Sequence, residues 1–197
     1  MAGVDDLAGL LVAIATGDRP LVRASLAASS SLATARLTRR EEFFIAQRHA
    51  QVYEGDTALH AAAFTYDVET AGDLLALGAD IRARNRRGAE PLHAAVSYAT
   101  GATNGNPADQ RAIIEYLIEA GGDPNARAYG GVTPLHRAVR NRCSVAVETL
   151  LRCGADRHAA NDKGSTPADL ARWTTGRGGS GSEAAKIEQR VIIELLG

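Results

Sequence analysis

Four segments of the chain repeat one pattern in register: GDTALHAAA from Gly55, GAEPLHAAV from Gly88, GVTPLHRAV from Gly131 and GSTPADLAR from Gly164, spaced 33, 43 and 33 residues apart. A second block follows the first three: LLALGADIRAR from Leu74, LIEAGGDPNAR from Leu117 and LLRCGADRHAA from Leu150. A fixed period of this size means one supersecondary unit used several times. Such a unit cannot bury its apolar face alone, so neighbouring units must stack and stabilise one another. The 43-residue spacing is the same unit carrying an insertion, Thr100–Asp109.

Each unit reads as a helical hairpin. Thr-Pro opens the first helix, with Thr at the cap and Pro, which has no N–H to lose, in the first turn. Leu and Ala form the buried side. A turn leads to a second helix, such as Ser144–Arg152. Gly78, Gly121 and Gly154 end the second helices in the left-handed conformation that glycine adopts cheaply. The following residues form an exposed turn that returns the chain to the next unit. Aromatic residues make up only 5% of the chain, so Ala, Leu, Val and Ile must supply the core. Small residues of this kind suit closely packed helices.

The residues that carry the repeat are Thr57, Leu59 and His60; Pro91, Leu92 and His93; Thr133, Pro134, Leu135 and His136; Thr166 and Pro167; and the Gly-Ala-Asp runs at Gly78 and Gly154. With these the chain resembles the ankyrin-repeat family over residues 55–175. Three full units agree in register, which makes the match specific. The resemblance implies an all-α solenoid of stacked helix-turn-helix units with β-turn or hairpin tips, about five units including degenerate caps. The expected units are 1–54, 55–87, 88–130, 131–163 and 164–197, together one domain over 1–197. The departures are Glu90 for the usual Thr, Ala58 for Pro, and a last unit reading Pro167-Ala168-Asp169-Leu170. An end unit with one solvent-facing side is expected to diverge. For His60, His93 and His136 the resemblance implies hydrogen bonds within the turn that tie neighbouring units together.

The ends and insertions read separately. Residues 5–28 form a degenerate first unit, with helices near Asp5–Ala15 and Pro20–Ala28 around Gly17-Asp18. Thr38 and Glu41 have capping-box spacing, which predicts an extra helix over about 39–50. Phe43, Phe44 and Ala46–Ala50 would be its apolar face, either plugging the side of the stack or meeting a partner. Asn106-Pro107 starts the second helix of the inserted unit. The last unit contains a Gly/Ser-rich stretch, 176–182. It lacks the Gly-Lys-Ser/Thr ending of a phosphate-binding loop and follows no predicted strand, so it reads as a linker. A final helix is expected from Glu183 to Leu196.

The remaining chemistry points away from catalysis. Equivalent histidines in stacked units lie roughly 10 Å apart, too far to share a metal ion. Asp56, Asp80, Asp123 and Asp156 recur with the period and read as turn and capping groups. No nucleophile elbow, zinc-protease motif or paired Cys-x-x-Cys is present. The expectation is a non-enzyme with no cofactor and no metal. Cys143 and Cys153 would be about 15 Å apart along a helix, beyond the reach of a disulfide. They read as free thiols in a reducing compartment, hence a cytoplasmic protein. A net charge of −1 argues against a general nucleic-acid or membrane-surface binder. No apolar run reaches the roughly 18 residues of a membrane span. The run Leu7–Ala15, preceded by Asp5 and Asp6, reads as a helix and not as a secretory signal.

The resemblance places partner contacts at the turn tips and on the inner face of the first helices. Here those positions are Arg84, Arg86 and Arg87; Arg127 and Tyr129; Asn161 and Lys163; and Phe64, Thr65, Ser97, Tyr98, Arg140 and Asn141. Arg and aromatic residues are the types that dominate binding energy at interfaces. The expectation is a monomeric protein–protein interaction module whose basic, aromatic-lined groove takes an acidic segment. The alternatives are that the same Arg row binds nucleic acid, that the chain is an accessory subunit of a separate enzyme, or that these Arg are solvated or paired with Glu41, Glu42 or Glu54.

Overall fold

A computed structural model describes residues 6–38, 43–45, 50–97, 106–172 and 183–197. Among these, ten α-helices form five antiparallel pairs: α1 (Leu7–Thr16) with α2 (Arg19–Ala28), α3 (Ala58–Thr65) with α4 (Val68–Ala76), α5 (Pro91–Ala95) with α6 (Pro107–Glu119), α7 (Pro134–Arg140) with α8 (Ser144–Arg152), and α9 (Pro167–Arg172) with α10 (Glu183–Leu196). The first helices stack in one row, α3 between α1 and α5, and α7 between α5 and α9. The second helices α4, α6, α8 and α10 stack in another.

One continuous apolar core runs between the two rows. Leu10, Leu59, Leu92 and Leu135 enter it from the first helices, and Leu74, Ile113, Leu117, Leu150 and Ile192 from the second. Each such fully buried side chain stabilises the stack by about 2 kcal/mol relative to exposure. Ala62, Ala63, Ala95 and Ala138 are fully buried among them and let the first helices approach closely. The helix starts follow local chemistry. Asp6 accepts from the Gly9 N–H at 2.6 Å, Asp18 from Leu21 at 3.1 Å, and Asn106 from Ala108 at 3.0 Å. α8 is different: Cys143 makes no capping bond with its side chain, and the Ser144 N–H instead donates to Glu188 of α10 at 2.9 Å.

The tips form a main-chain ladder. Leu37 pairs with Asp56 and Gly55 at 2.9 and 2.8 Å, Arg86 N–H donates to Glu54 O at 2.7 Å, Tyr129 N–H to Arg87 O at 3.0 Å, and Asp162 N–H to Gly130 O at 2.9 Å. Adjacent tips therefore touch through backbone. Gly55 shows why one of them must be glycine: its φ is +82°, and a Cβ would lie 2.8 Å from Asn85 Cα.

The helix expected over 39–50 is not formed. Phe43–Ile45 and Ala50–Val52 are instead antiparallel strands β1 and β2, pairing Phe43 with Val52 and Ile45 with Ala50. The cause is tertiary. Leu37 is bonded to both Gly55 and Asp56, so the intervening chain leaves and returns at one point, which a hairpin satisfies. Ile45 and Val52 then point into the core, while Phe44 stays 54% exposed. Phe43 packs against the core, so one of the two Phe plugs the stack. Residues 39–42, with Glu41, and 46–49 lie outside the described residues, as do 98–105, which include the first part of the insertion 100–109, and 173–182, which include the Gly/Ser-rich stretch 176–182.

Candidate protein-binding surface

The three repeat histidines build the scaffold that carries the surface. In each, Nδ1 accepts from the N–H of the residue that caps the helix: Thr57 at 3.3 Å for His60, Glu90 at 3.2 Å for His93, and Thr133 at 3.3 Å for His136. Nε2 faces a carbonyl of the following unit: Ala89 at 3.1 Å, Val132 at 3.1 Å and Ser165 at 3.0 Å. One acceptor and one donor on the same ring define the neutral tautomer protonated at Nε2. Burial holds all three below the usual histidine range, and His93, beside Arg137 as well, falls to about 3. In the last unit Asp169 stands at this position. Its carboxylate accepts from the Thr166 N–H at 2.9 Å and hydroxyl at 2.7 Å, the local half of the arrangement.

Glu90 occupies the cap position that is Thr57 and Thr133 in its neighbours. Its side chain is 3% exposed and pairs through Oε1 with Arg84 at 3.0 Å, while Oε2 is buried without a hydrogen-bond partner among the described residues. Burial, only partly offset by Arg84, raises its pKa above the ordinary carboxylate range. The folded state thus favours the protonated acid, and the stability this contributes is lost as pH rises through the raised pKa. Replacing Glu90→Thr is expected to stabilise the protein by about 1 kcal/mol at pH 7.5, read as a higher urea midpoint. A lower midpoint would mean that the pairing with Arg84 outweighs burial of the charge.

The structure sorts the predicted contact residues into two groups. The first is engaged internally. Arg84 holds Glu90; Arg127 bonds to Asp162 and to Ala160 O, both at 2.9 Å. The Thr65 hydroxyl bonds back to Ala61 O at 3.0 Å. Ser97 and Asn141 serve the end of α5, which is only five residues long. Ser97 Oγ donates to His93 O at 2.8 Å, Asn141 to Val96 O at 2.8 Å, and Gln110 of α6 to Ala95 O at 3.1 Å. Side chains of other elements thereby satisfy carbonyls that a full-length helix would bond itself. Tyr98 lies outside the described residues.

The second group faces outward. Arg86 and Arg87 both lie over the ring of Tyr53, at 5.0 and 5.2 Å from its centre, and Arg87 Nη1 donates to Tyr53 Oη at 3.1 Å. Guanidinium groups are attracted to the negative face of an aromatic ring. Tyr129 on the next tip is 76% exposed, Phe64 of α3 is half-buried, and Arg140 in the last turn of α7 is exposed. Two residues that sequence reading did not single out, Tyr53 and Arg137, contact residues of these two groups. Tyr53 stands two residues before Gly55, the column that Arg86 and Tyr129 occupy before Gly88 and Gly131. Arg137 occupies the column of Ala61 and Ala94. It crosses to the end of α5, bonding His93 O at 3.1 Å and Ser97 Oγ at 3.3 Å. Burial, with Arg87 and Arg140 nearby, lowers its pKa to about 10, so it stays charged at neutral pH.

Several arginines elsewhere are matched to acids. Arg19 and Arg23 pair with Glu69, Arg19 also with Asp67, and Arg36 with Asp80. Among the described residues Arg87, Arg137 and Arg140 have no such partner, and neither do Arg82, Arg157, Arg172 and Arg190. Both cysteines are free; Cys143 is buried and donates to Gln110 Oε1 at 2.9 Å. The described residues contain no group of three or more His, Cys, Asp or Glu placed to hold a metal ion. None of their helices is long and apolar enough to cross a membrane.

Comparison with known proteins matches two family models: ankyrin repeats (3 copies) over residues 10–128, and ankyrin repeats (many copies) over 117–171. The mouse (Mus musculus) Ankyrin repeat and SOCS box protein 16 is 38% identical over 115 residues, which is 58% of this chain and 25% of that protein. Neurogenic locus notch homolog protein 1 of Danio rerio is 36% identical over 113 residues, 57% of this chain and 4% of that protein. The human Neurogenic locus notch homolog protein 2 matches to the same extent. The aligned part of the chain thus covers a quarter or less of these relatives.

Proposed function

The chain belongs to the ankyrin-repeat family, and on that basis we propose that it is a non-catalytic module that binds an acidic segment of a partner protein. The segment lies along the tips and the inner face of the first helices. The observation that carries this reading is the run of Tyr53, Arg86, Arg87 and Tyr129 along consecutive tips, backed by Arg137 and Arg140 on α7. Rigid aromatics and planar guanidinium groups offer contact area and paired hydrogen bonds at low entropic cost. The main-chain ladder beneath them fixes their spacing, so little order has to be gained on binding. The reading has the module act as a monomer in the cytoplasm, and its two free thiols are in keeping with a reducing compartment.

Affinity capture from a native lysate tests the proposal. The chain and its variant Arg87→Glu/Arg140→Glu are compared at equal loading, with circular dichroism melts confirming equal folding. The expected result is at least a tenfold loss of the principal captured protein in the variant. Unchanged capture would remove these arginines from the binding surface. Nucleic acid, if that were the ligand, would be released by nuclease treatment and by modest salt.

A further inference from the structure

Backbone bonds fix one register for all the tips. Leu37, Asn85, Ala128 and Asn161 accept from the N–H of the glycines that open the next units, Gly55, Gly88, Gly131 and Gly164. The residues just before them, Arg36, Arg84, Arg127 and Ala160, therefore share one column. Two of these arginines act alike. Arg36 donates to Arg84 O and to the Asp80 carboxylate, both at 3.1 Å, and Arg127 donates to Ala160 O and to Asp162, both at 2.9 Å. Each reaches the carbonyl of its own column in the next unit and takes an acid beside it. Arg84 departs from this. Its Nε and Nη2 both go to Glu90 Oε1 at 3.0 Å. Arg127 O, the carbonyl of its column, accepts no hydrogen bond among the described residues. Asp123 stands in the column of Asp80. Asp80 takes the Arg82 N–H on Oδ1 at 2.9 Å and Arg36 on Oδ2. Asp123 takes the Asn125 N–H on Oδ1 at 2.8 Å, and its Oδ2 accepts nothing among the described residues.

We infer that Arg84 is a two-position clip between the second and third units, held by Glu90 while that carboxylate is charged and by Asp123 and Arg127 O once it is not. Glu90 is the cause of the departure, since Thr57 and Thr133 in its column carry no charge. A buried carboxylate with one orphaned oxygen needs a cation, and Arg84 supplies it. Once protonated, Glu90 loses most of that pull. The vacant acceptors then stand where Arg36 finds its own one unit earlier. The main-chain ladder stays in place, and the Arg84 side chain, 57% exposed, has room to turn. The charges acting on Glu90 are Arg84 and Arg82 from the preceding tip and Asp123 from the turn after α6. Arg82 is committed to Gly121 O. His93 of α5 bonds the Glu90 N–H and His60 of α3 bonds Ala89 O, both rings kept below the usual histidine range by burial. Arg137 of α7 bonds His93 O. Burial also lifts Glu90 above the ordinary carboxylate range, so falling pH moves the clip toward Asp123 and rising pH returns it. Mild acid thus fastens this joint as the neighbouring joints are fastened, while neutral pH ties Arg84 to the start of α5.

Solution NMR of the full chain tests the clip, which stands whether or not a partner lies on the tips. The Arg84 Nε–H and the Glu90 side-chain carboxyl carbon are followed as the pH is lowered from 7.5 through the Glu90 titration. The expected result is one shared midpoint, with the proton–proton contacts of the Arg84 guanidinium passing from the Glu90 side chain to that of Asp123. Glu90→Thr and Glu90→Gln remove the charge without acid. In both, Arg84 should already contact Asp123 at pH 7.5, and its Nε–H should no longer follow pH over this interval. Asp123→Asn, which keeps an oxygen for the Asn125 N–H, should leave Arg84 undisturbed in the wild-type chain at pH 7.5. In the Glu90→Thr background it should release Arg84 to solvent. An Arg84 that keeps its Glu90 contacts as the carboxyl takes up its proton would overturn the clip. So would an Arg84 that leaves position 90 in the two Glu90 variants without reaching Asp123.

Discussion

Acidification from pH 7 to pH 4 will strip the protein of several kcal/mol of stability, with His93 the largest single source. Its pKa is about 3 in the folded chain, against about 6.5 for an unperturbed histidine. The folded state takes up a proton far less readily than the unfolded one. Stability is therefore fully present above the unfolded value and is lost as pH falls through the window from about 6.5 to 3. By pH 4 this one group accounts for roughly 3 kcal/mol. His60 and His136 are shifted in the same direction for the same reason and add to the loss. The local chemistry explains why the proton is excluded. Nδ1 already accepts an N–H, so protonating it sets two donors against each other and destroys the cap of the helix. Urea midpoints at pH 4, 5, 6 and 7 check this. His93→Gln should be less stable at pH 7 yet respond to pH with about one proton fewer. A wild-type midpoint that is flat over this range would show that these rings are already protonated or exposed.

Removing the side chain of Leu59 will cost about 3 kcal/mol or more. Leu59 is fully buried in α3, which packs between α1 and α5. The cavity would open at the junction of three units, where the surrounding helices are held by the His60 bond to Ala89 and the ladder at the tips. In a stack, stability is the sum of unit and interface contributions, and a weakened interface uncouples its neighbours. Leu59→Ala should therefore lower the urea midpoint and also broaden the transition, as α1 and α2 begin to open ahead of the rest. A loss under 1 kcal/mol with an unchanged slope would mean that the core tolerates the void by collapsing onto it.

Much of this architecture was legible in the sequence because it is periodic. Thr-Pro starts, glycine stops and the histidine column are local chemical solutions repeated at a fixed interval, and they recur where the pattern places them. Asn106-Pro107 and Glu183–Leu196 were readable for the same reason, as local signals of a helix start and an amphipathic helix. The β1–β2 hairpin was not. Its residues include helix formers, and what turns them into strands is the bonding of Leu37 to Gly55 and Asp56, a contact between segments that no local pattern displays. The surface was legible in part. Arg86, Arg87 and Tyr129 came from the family resemblance, and the column that Arg86 and Tyr129 share reaches Tyr53 when extended one unit toward the N-terminus. Arg137 was hidden because its column reads as core alanine in the two preceding units. The room it fills exists only because α5 stops at Ala95 and leaves carbonyls to be bonded. Arg84, Arg127 and Asn141 show the converse: residues at tip and groove positions that the fold itself uses.

Hydrogen exchange of the chain alone and in complex with its principal captured partner is the sharpest probe of where the partner sits, since it reads every backbone amide without assuming a site. Protection on binding should fall on the tips around Tyr53, Arg86–Arg87 and Tyr129 and on α3, α5 and α7. The amides of α4, α6 and α8 should exchange as they do in the free chain. Protection concentrated on those second helices, with the tips unchanged, would place the partner on the opposite face and rule out the proposed groove.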